Sequence, residues 1–114
     1  MRTVLIGDAV AAARALLPLP RASRPAMMAR LIDEAHQADC CRKRLGRWHP
    51  RFGNGTLMDA ASRYPQPREP FLDDPDYLDC LLVVLAALLA RRVPASGRGE
   101  LFSDLRLSCE TRRA

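Results

Sequence analysis

The stretch Pro75-Asp-Tyr-Leu-Asp-Cys-Leu-Leu-Val-Val-Leu-Ala-Ala-Leu-Leu-Ala-Arg-Arg92 decides the fold class of this 114-residue chain. Its interior holds no glycine or proline, and leucine and alanine favour the helix. Pro75 fits a first helical position, and Asp73 or Asp74 is a suitable N-cap. Arginines at the far end complement the helix dipole. We therefore predict one helix from Pro75 to about Arg92.

The middle of this predicted helix is apolar all round, from Cys80 to Ala90. Eleven residues are too few to span a membrane, which takes about 20. A helix without a polar face has to be buried on every side, in a core or at an oligomer interface. The residues predicted to provide that core or subunit contact are Leu81, Val84, Leu85 and Leu88.

Three further helices are predicted upstream. The first covers residues 8–17 with Asp8 as its N-cap, and prolines follow it. The second covers residues 23–45, with a proline in its first turn, and ends at Gly46. A short third helix covers residues 56–63 and is capped by a polar side chain before it. Three prolines follow it within residues 65–70 and indicate an extended connector.

These elements predict an all-α fold, a small helical domain of three to four helices with a flexible C-terminal tail. Residues 1–93 would form a helical oligomerisation and DNA-binding domain, and residues 94–114 the tail. An apolar segment in the tail could dock on a partner, or the tail could be plainly disordered. The docking residues of that segment are Leu101, Phe102, Leu105 and Leu107.

The charge is distributed unevenly along the chain. Residues 1–68 carry twelve basic and five acidic groups, whereas residues 69–90 carry five acidic groups and no basic one. Such asymmetry suggests one face for polyanions and another for basic partners or for copies of the chain. Of the eighteen basic residues, seventeen are arginine, which the codon bias of a GC-rich genome explains better than nucleic-acid binding does.

The four cysteines form no CxxC pair, and the N-terminal apolar stretch has no clear signal cleavage site. We expect a cytoplasmic protein with reduced thiols and no membrane partner.

Three arrangements would carry chemistry, but each has a simpler interpretation. His36 and Cys40 share a helix face and would need His49 or Cys80 to complete a zinc site. Cys40 or Cys41 with His49 would form a nucleophile pair, for which no orienting group is evident. The glycine-rich turn 53–56 before a helix could hold an anion, although a plain turn and N-cap explains it better. We predict no enzyme activity, no metal and no cofactor.

A basic segment is the stronger candidate. Five cationic side chains fall within ten residues and are interleaved with aromatic ones. Arginines make bidentate phosphate contacts and aromatic rings stack on bases. The alternative is a solvated helix end followed by a loop whose aromatic residues belong to the core. The predicted DNA-binding residues are Arg42, Lys43, Arg44, Arg47, Trp48 and Arg51.

The segment His49-Pro-Arg-Phe-Gly-Asn-Gly-Thr-Leu-Met58, together with Phe71-Leu-Asp-Asp-Pro-Asp-Tyr77 and the apolar helix, resembles the small terminase subunits of bacterial gene transfer agents, phage-derived particles that package host DNA. The resemblance covers roughly residues 1–93. It implies a non-enzymatic homo-oligomer that binds double-stranded DNA without sequence specificity and recruits the large terminase subunit. Unlike typical phage small terminases, the chain shows no N-terminal helix-turn-helix, so specific recognition of a packaging site is not expected.

Overall fold

The computed structural model describes residues 1–92, and the predicted all-α fold is confirmed there. Four helices follow one another: α1 (Ile6–Leu16), α2 (Arg24–Leu45), α3 (Leu57–Ala61) and α4 (Pro75–Arg92). A short 3-10 turn precedes α2, and no strand occurs in this part of the chain. The tail predicted over residues 94–114, with its docking residues, lies outside the described residues.

Helix α1 lies at the centre of the bundle and is buried on nearly all sides. Alanine supplies five of its eleven residues, and small side chains let neighbouring helices approach closely. Larger side chains from the other three helices close the core around it. The largest fully buried side chains among residues 1–92 are Leu16, Met28, Leu31, Leu57, Tyr77, Cys80 and Val84.

The start of α1 differs from the prediction, because Asp8 is not its N-cap. The helix begins two residues earlier, and Asp8 occupies its third position. Its carboxylate accepts a hydrogen bond from the backbone N–H of Leu5 at 2.7 Å and another from that of Met58 at 2.9 Å. One buried aspartate therefore caps the N-termini of both α1 and α3.

Helix α2 has the predicted bounds, and Gly46 ends it in the left-handed conformation, with φ of 66°. Its apolar side chains facing the core are buried from Met28 to Ala38, but Leu45 is exposed. The acidic Glu34 is buried as well. The hydroxyl of Tyr64 donates to its Oε2 at 2.8 Å, and the guanidinium of Arg30 donates to Oε1 at 3.2 Å.

Helix α4 has the predicted bounds but is buried on one face only. Of the four residues predicted to form the core or subunit contact, Val84 is fully buried, Leu81 and Leu88 are half-buried, and Leu85 is 52% exposed. Asp74 caps this helix, since its Oδ1 accepts from the backbone N–H of Asp76 at 2.9 Å. None of the helices in residues 1–92 is long and apolar enough to cross a membrane.

Candidate nucleic-acid interface

The basic patch, defined as Arg42, Lys43, Arg44, Arg47, Trp48 and Arg51, occupies the last turn of α2 and the loop after it. Three cationic residues follow one another at the negative end of the helix dipole, which favours positive charge there. The left-handed Gly46 then turns the chain out of the helix axis. As a result, the second half of the patch lies on a loop beside the end of α2.

A compact hairpin holds that loop in shape. The backbones of His49 and Gly53 exchange hydrogen bonds of 2.9 and 3.1 Å. The ring of His49 stacks on Phe52 with 4.6 Å between centroids. Its Nδ1 accepts from the backbone N–H groups of Arg51 and Phe52 at 3.0 and 3.1 Å, so this nitrogen carries no proton. The hairpin therefore presents its side chains from an ordered backbone.

Trp48 is 65% exposed, whereas Phe52 is half-buried beside His49. The alternative that both aromatic rings belong to the core is therefore wrong for Trp48. An exposed indole next to cationic side chains is available for stacking on a planar ligand.

Asp39 lies one turn before the patch and neutralises part of its charge. Its carboxylate, only 4% exposed, contacts Arg42 at 2.9 Å, Lys43 at 3.2 Å and the Met1 ammonium group at 3.3 Å. Burial would raise the pKa of Asp39, but hydrogen bonds from these three cations outweigh it and lower the pKa to about 2. The sequence carries a signal for this pairing, because carboxylates three and four residues before a cation share its helix face.

The other three cations of the patch have no side-chain partner in the part of the chain that the structure describes. Within residues 1–92, the side chains of Arg44, Arg47 and Arg51 form no hydrogen bond or ion pair, and all three residues are exposed. Their guanidinium groups keep all of their donors for an external anion.

A cleft of about 880 Å³ opens beside the start of the patch. Arg2, Arg42 and Lys43 line it, along with the exposed apolar side chains of Leu5 and Ile6. The cleft therefore joins the end of α2 to the start of α1, and its cations lie beside the carboxylates of Asp8 and Asp39.

The glycine-rich turn before α3 does not form an anion site. Asp59 Oδ2 accepts from the backbone N–H of Asn54 at 2.8 Å. The hydroxyl of Thr56 accepts from the backbone N–H of Asp59 at 3.1 Å, as an N-cap does. A protein carboxylate thus fills the place that an external anion would take, which supports the plain turn and N-cap.

The geometry gives little support to the zinc site or to the cysteine–histidine nucleophile pair. Cys40 Sγ lies 3.7 Å from His36 Nε2, but no third histidine, cysteine, aspartate or glutamate in residues 1–92 completes a metal-binding group. Cys80 is fully buried, and burial raises the pKa of its thiol to about 11. Without a metal, such a thiol stays protonated at neutral pH.

No curated protein and no solved structure matches the chain. Residues 2–88 match a family described as a domain of unknown function, DUF7742. That match covers all four helices except the last residues of α4, as well as the whole basic patch. The chain belongs to the DUF7742 family.

Proposed function

We propose that this protein is a non-catalytic DNA-packaging subunit that binds double-stranded DNA through the basic patch with little sequence preference. The single observation that carries the DNA-binding step is the state of Arg44, Arg47 and Arg51. These three cations lie together on the surface, unpaired by any carboxylate in residues 1–92. An exposed Trp48 lies among them.

The physical basis of binding is the release of counterions from DNA phosphates. Each arginine that contacts a phosphate releases condensed cations, so affinity falls steeply as salt rises. The side chains of the patch lie on a helix end and a short hairpin, and neither is an element that enters the major groove lengthwise. The contacts therefore reach phosphates and sugars, which position a protein without reading sequence.

The packaging role rests on the resemblance to small terminase subunits of gene transfer agents. A particle that packages host DNA indiscriminately needs a subunit that holds any duplex and passes it to the motor. In this proposal the tail residues Leu101, Phe102, Leu105 and Leu107 recruit the large terminase subunit, which supplies the ATPase and nuclease activities.

The rival function is a helical protein–protein adaptor that does not touch nucleic acid. Two observations favour it: α4 exposes leucines on its outer face, and its start carries exposed Asp73 and Asp76. Both features suit protein partners.

A salt series separates the two functions. We expect the full chain to retard duplexes of unrelated sequence equally, with an affinity that falls linearly against salt on logarithmic axes. The variant Arg47→Ala/Arg51→Ala should weaken binding. It should also reduce the slope of log affinity against log salt concentration by about 2, because two phosphate contacts are lost. The matched control is Arg68→Ala/Arg91→Ala, which removes two exposed arginines away from the patch and should leave the slope unchanged.

No retardation at low salt would favour the adaptor over DNA binding. An equal effect of both double variants would show that net charge, rather than the patch, holds the DNA. The packaging step has its own readout, in which the purified large terminase subunit should bind the full chain but not a Leu101→Asp/Leu105→Asp variant.

A further inference from the structure

Helix α4 exposes a leucine stripe, defined as Leu78, Leu82, Leu85 and Leu89. These side chains are 41%, 53%, 52% and 41% exposed. Their spacing of four, three and four residues places them on one face, opposite to the buried Tyr77, Cys80 and Val84. The half-buried Leu81 and Leu88 border the stripe on one side.

This spacing is that of a helix–helix seam. Apolar residues that alternate three and four apart pack against an equivalent row on a second helix, each leucine between residues of the facing helix. A stripe of four leucines over three turns is also a larger continuous apolar surface than scattered surface residues provide.

We infer that α4 of a second copy of this chain covers the leucine stripe, in antiparallel orientation. The positions of the leucines are symmetric about a point between Val83 and Val84. A twofold axis through that point sets Leu78 beside Leu89 of the second copy, and Leu82 beside Leu85. One surface then serves both subunits, as a twofold interface requires.

Charge complementarity selects the antiparallel orientation. Asp73 and Asp74 lie at the start of α4, and the exposed Arg92 lies at its end on the same side as the stripe. Antiparallel pairing brings Arg92 of each copy beside Asp74 of the other. Asp74 uses Oδ1 to cap its own helix and leaves Oδ2 for that contact. A parallel pair would instead place the acidic residues of one copy beside those of the other, and it would align the two helix dipoles unfavourably.

The size of the surface predicts the strength of the dimer. A single exposed helix face is smaller than the roughly 800 Å² per partner of a standard stable interface. We therefore expect a reversible dimer with a dissociation constant in the micromolar range. Each dimer would carry two basic patches, which raises the apparent affinity for a long duplex without any new contact.

Self-association of the full chain is measured without DNA, by sedimentation equilibrium. The protein concentration runs from about 1 to about 100 µM, a range that brackets the expected dissociation constant. We expect monomers to give way to dimers across this range. Leu82→Glu should weaken the dimer by about tenfold or more, because the carboxylate would face leucines of the second copy. Leu45→Glu, at a leucine that is 60% exposed at the end of α2, is the matched control and should dimerise normally.

The orientation test uses charge pairs at the ends of the stripe. Leu78→Glu and Leu89→Lys should each weaken the dimer, since each buries a charge against leucine. The double variant Leu78→Glu/Leu89→Lys sets opposite charges across an antiparallel seam, but like charges across a parallel one. We expect it to dimerise more strongly than either single variant. Circular dichroism checks that every variant is folded.

A monomer at all concentrations would overturn the inference, as would a dimer that Leu82→Glu leaves intact. A double variant weaker than both single variants would overturn the antiparallel orientation. If the full chain is monomeric and a chain ending at Arg92 dimerises, the occupant of the stripe is the chain's own residues 93–114 and not a second copy. None of these readouts involves DNA, so they stand or fall separately from the packaging proposal.

Discussion

Asp39 determines how much of the positive charge at the end of α2 is available to a ligand. Its buried carboxylate engages Arg42 and Lys43, while three cations further along have no partner among residues 1–92. The patch therefore acts as two parts: a paired half that stabilises the fold and an unpaired half that can release counterions.

The buried pairing makes stability depend on pH through Asp39. Its pKa is lower in the folded chain, at about 2, than the ordinary value of 3.8. The stabilisation is therefore fully present above pH 3.8 and is lost as the pH falls toward 2. We expect Asp39→Asn to lower the free energy of unfolding at pH 7 by about 2 kcal/mol, as the loss of charged hydrogen bonds does.

The measurement is urea unfolding of both proteins at several pH values between 7 and 2. The difference in free energy of unfolding between wild type and Asp39→Asn should stay constant down to about pH 4 and then shrink. Asp33→Asn is the control, since Asp33 is exposed and, among the described residues, its carboxylate accepts a hydrogen bond only from Gln37, at 2.8 Å. A difference that persists unchanged to pH 2 would contradict the assigned ion pairs.

At the scale of elements, the glycines around the basic hairpin have different requirements. Gly46 and Gly55 both adopt positive φ, at 66° and 92°. A Cβ at Gly46 would meet open space, whereas at Gly55 it would lie 2.9 Å from the backbone Cα of Asp39. Of these two glycines, only Gly55 would therefore add a steric clash to the strain that a side chain suffers at positive φ.

We expect Gly46→Ala to destabilise the fold by about 1 kcal/mol, the usual cost of a left-handed alanine. Gly55→Ala should lower the free energy of unfolding by more, about 2–4 kcal/mol, because the hairpin and α2 would have to move apart. Thermal and urea unfolding measure both. Equal losses for the two variants would mean that the approach of Gly55 to α2 has no energetic consequence.

The sequence predicted the bounds of α2 and α4 well, because their signals are local. Proline at the first positions, aspartate caps and the terminal Gly46 all act within one turn of the helix end. The sequence could not predict which face of α4 is exposed. Leucine occupies both faces, and periodicity has no contrast when every position is apolar.

At the scale of the whole molecule, Arg24 joins three helices at one end of the bundle. It begins α2, donates to the backbone carbonyls of Leu16 and Leu17 at the end of α1, and contacts Asp76 at 2.8 Å and Asp79 at 3.1 Å in α4. The side chain is 3% exposed. This network is not predictable from the sequence, because its partners lie up to 55 residues apart and no local pattern links them.

Arg24→Ala should therefore destabilise the whole domain rather than one helix. The carbonyls that end α1 lose their donor, and the buried Asp79 loses a cation 3.1 Å away. Breaking a buried ion pair on one side costs about 3–5 kcal/mol, a large share of the about 5–15 kcal/mol that holds a domain together. Arg21→Ala is the matched control, since Arg21 is 56% exposed and lies 3.7 Å from the same carboxylate. It should cost less than about 1 kcal/mol.

Urea unfolding followed by circular dichroism checks this prediction. Because the lost contacts span all three long helices, the Arg24→Ala midpoint should fall while the transition stays single and its m-value stays close to that of wild type. A transition that splits in two would mean that α4 unfolds independently of α1 and α2. In that case the buried network would hold α4 in place without coupling the helices into one cooperative unit.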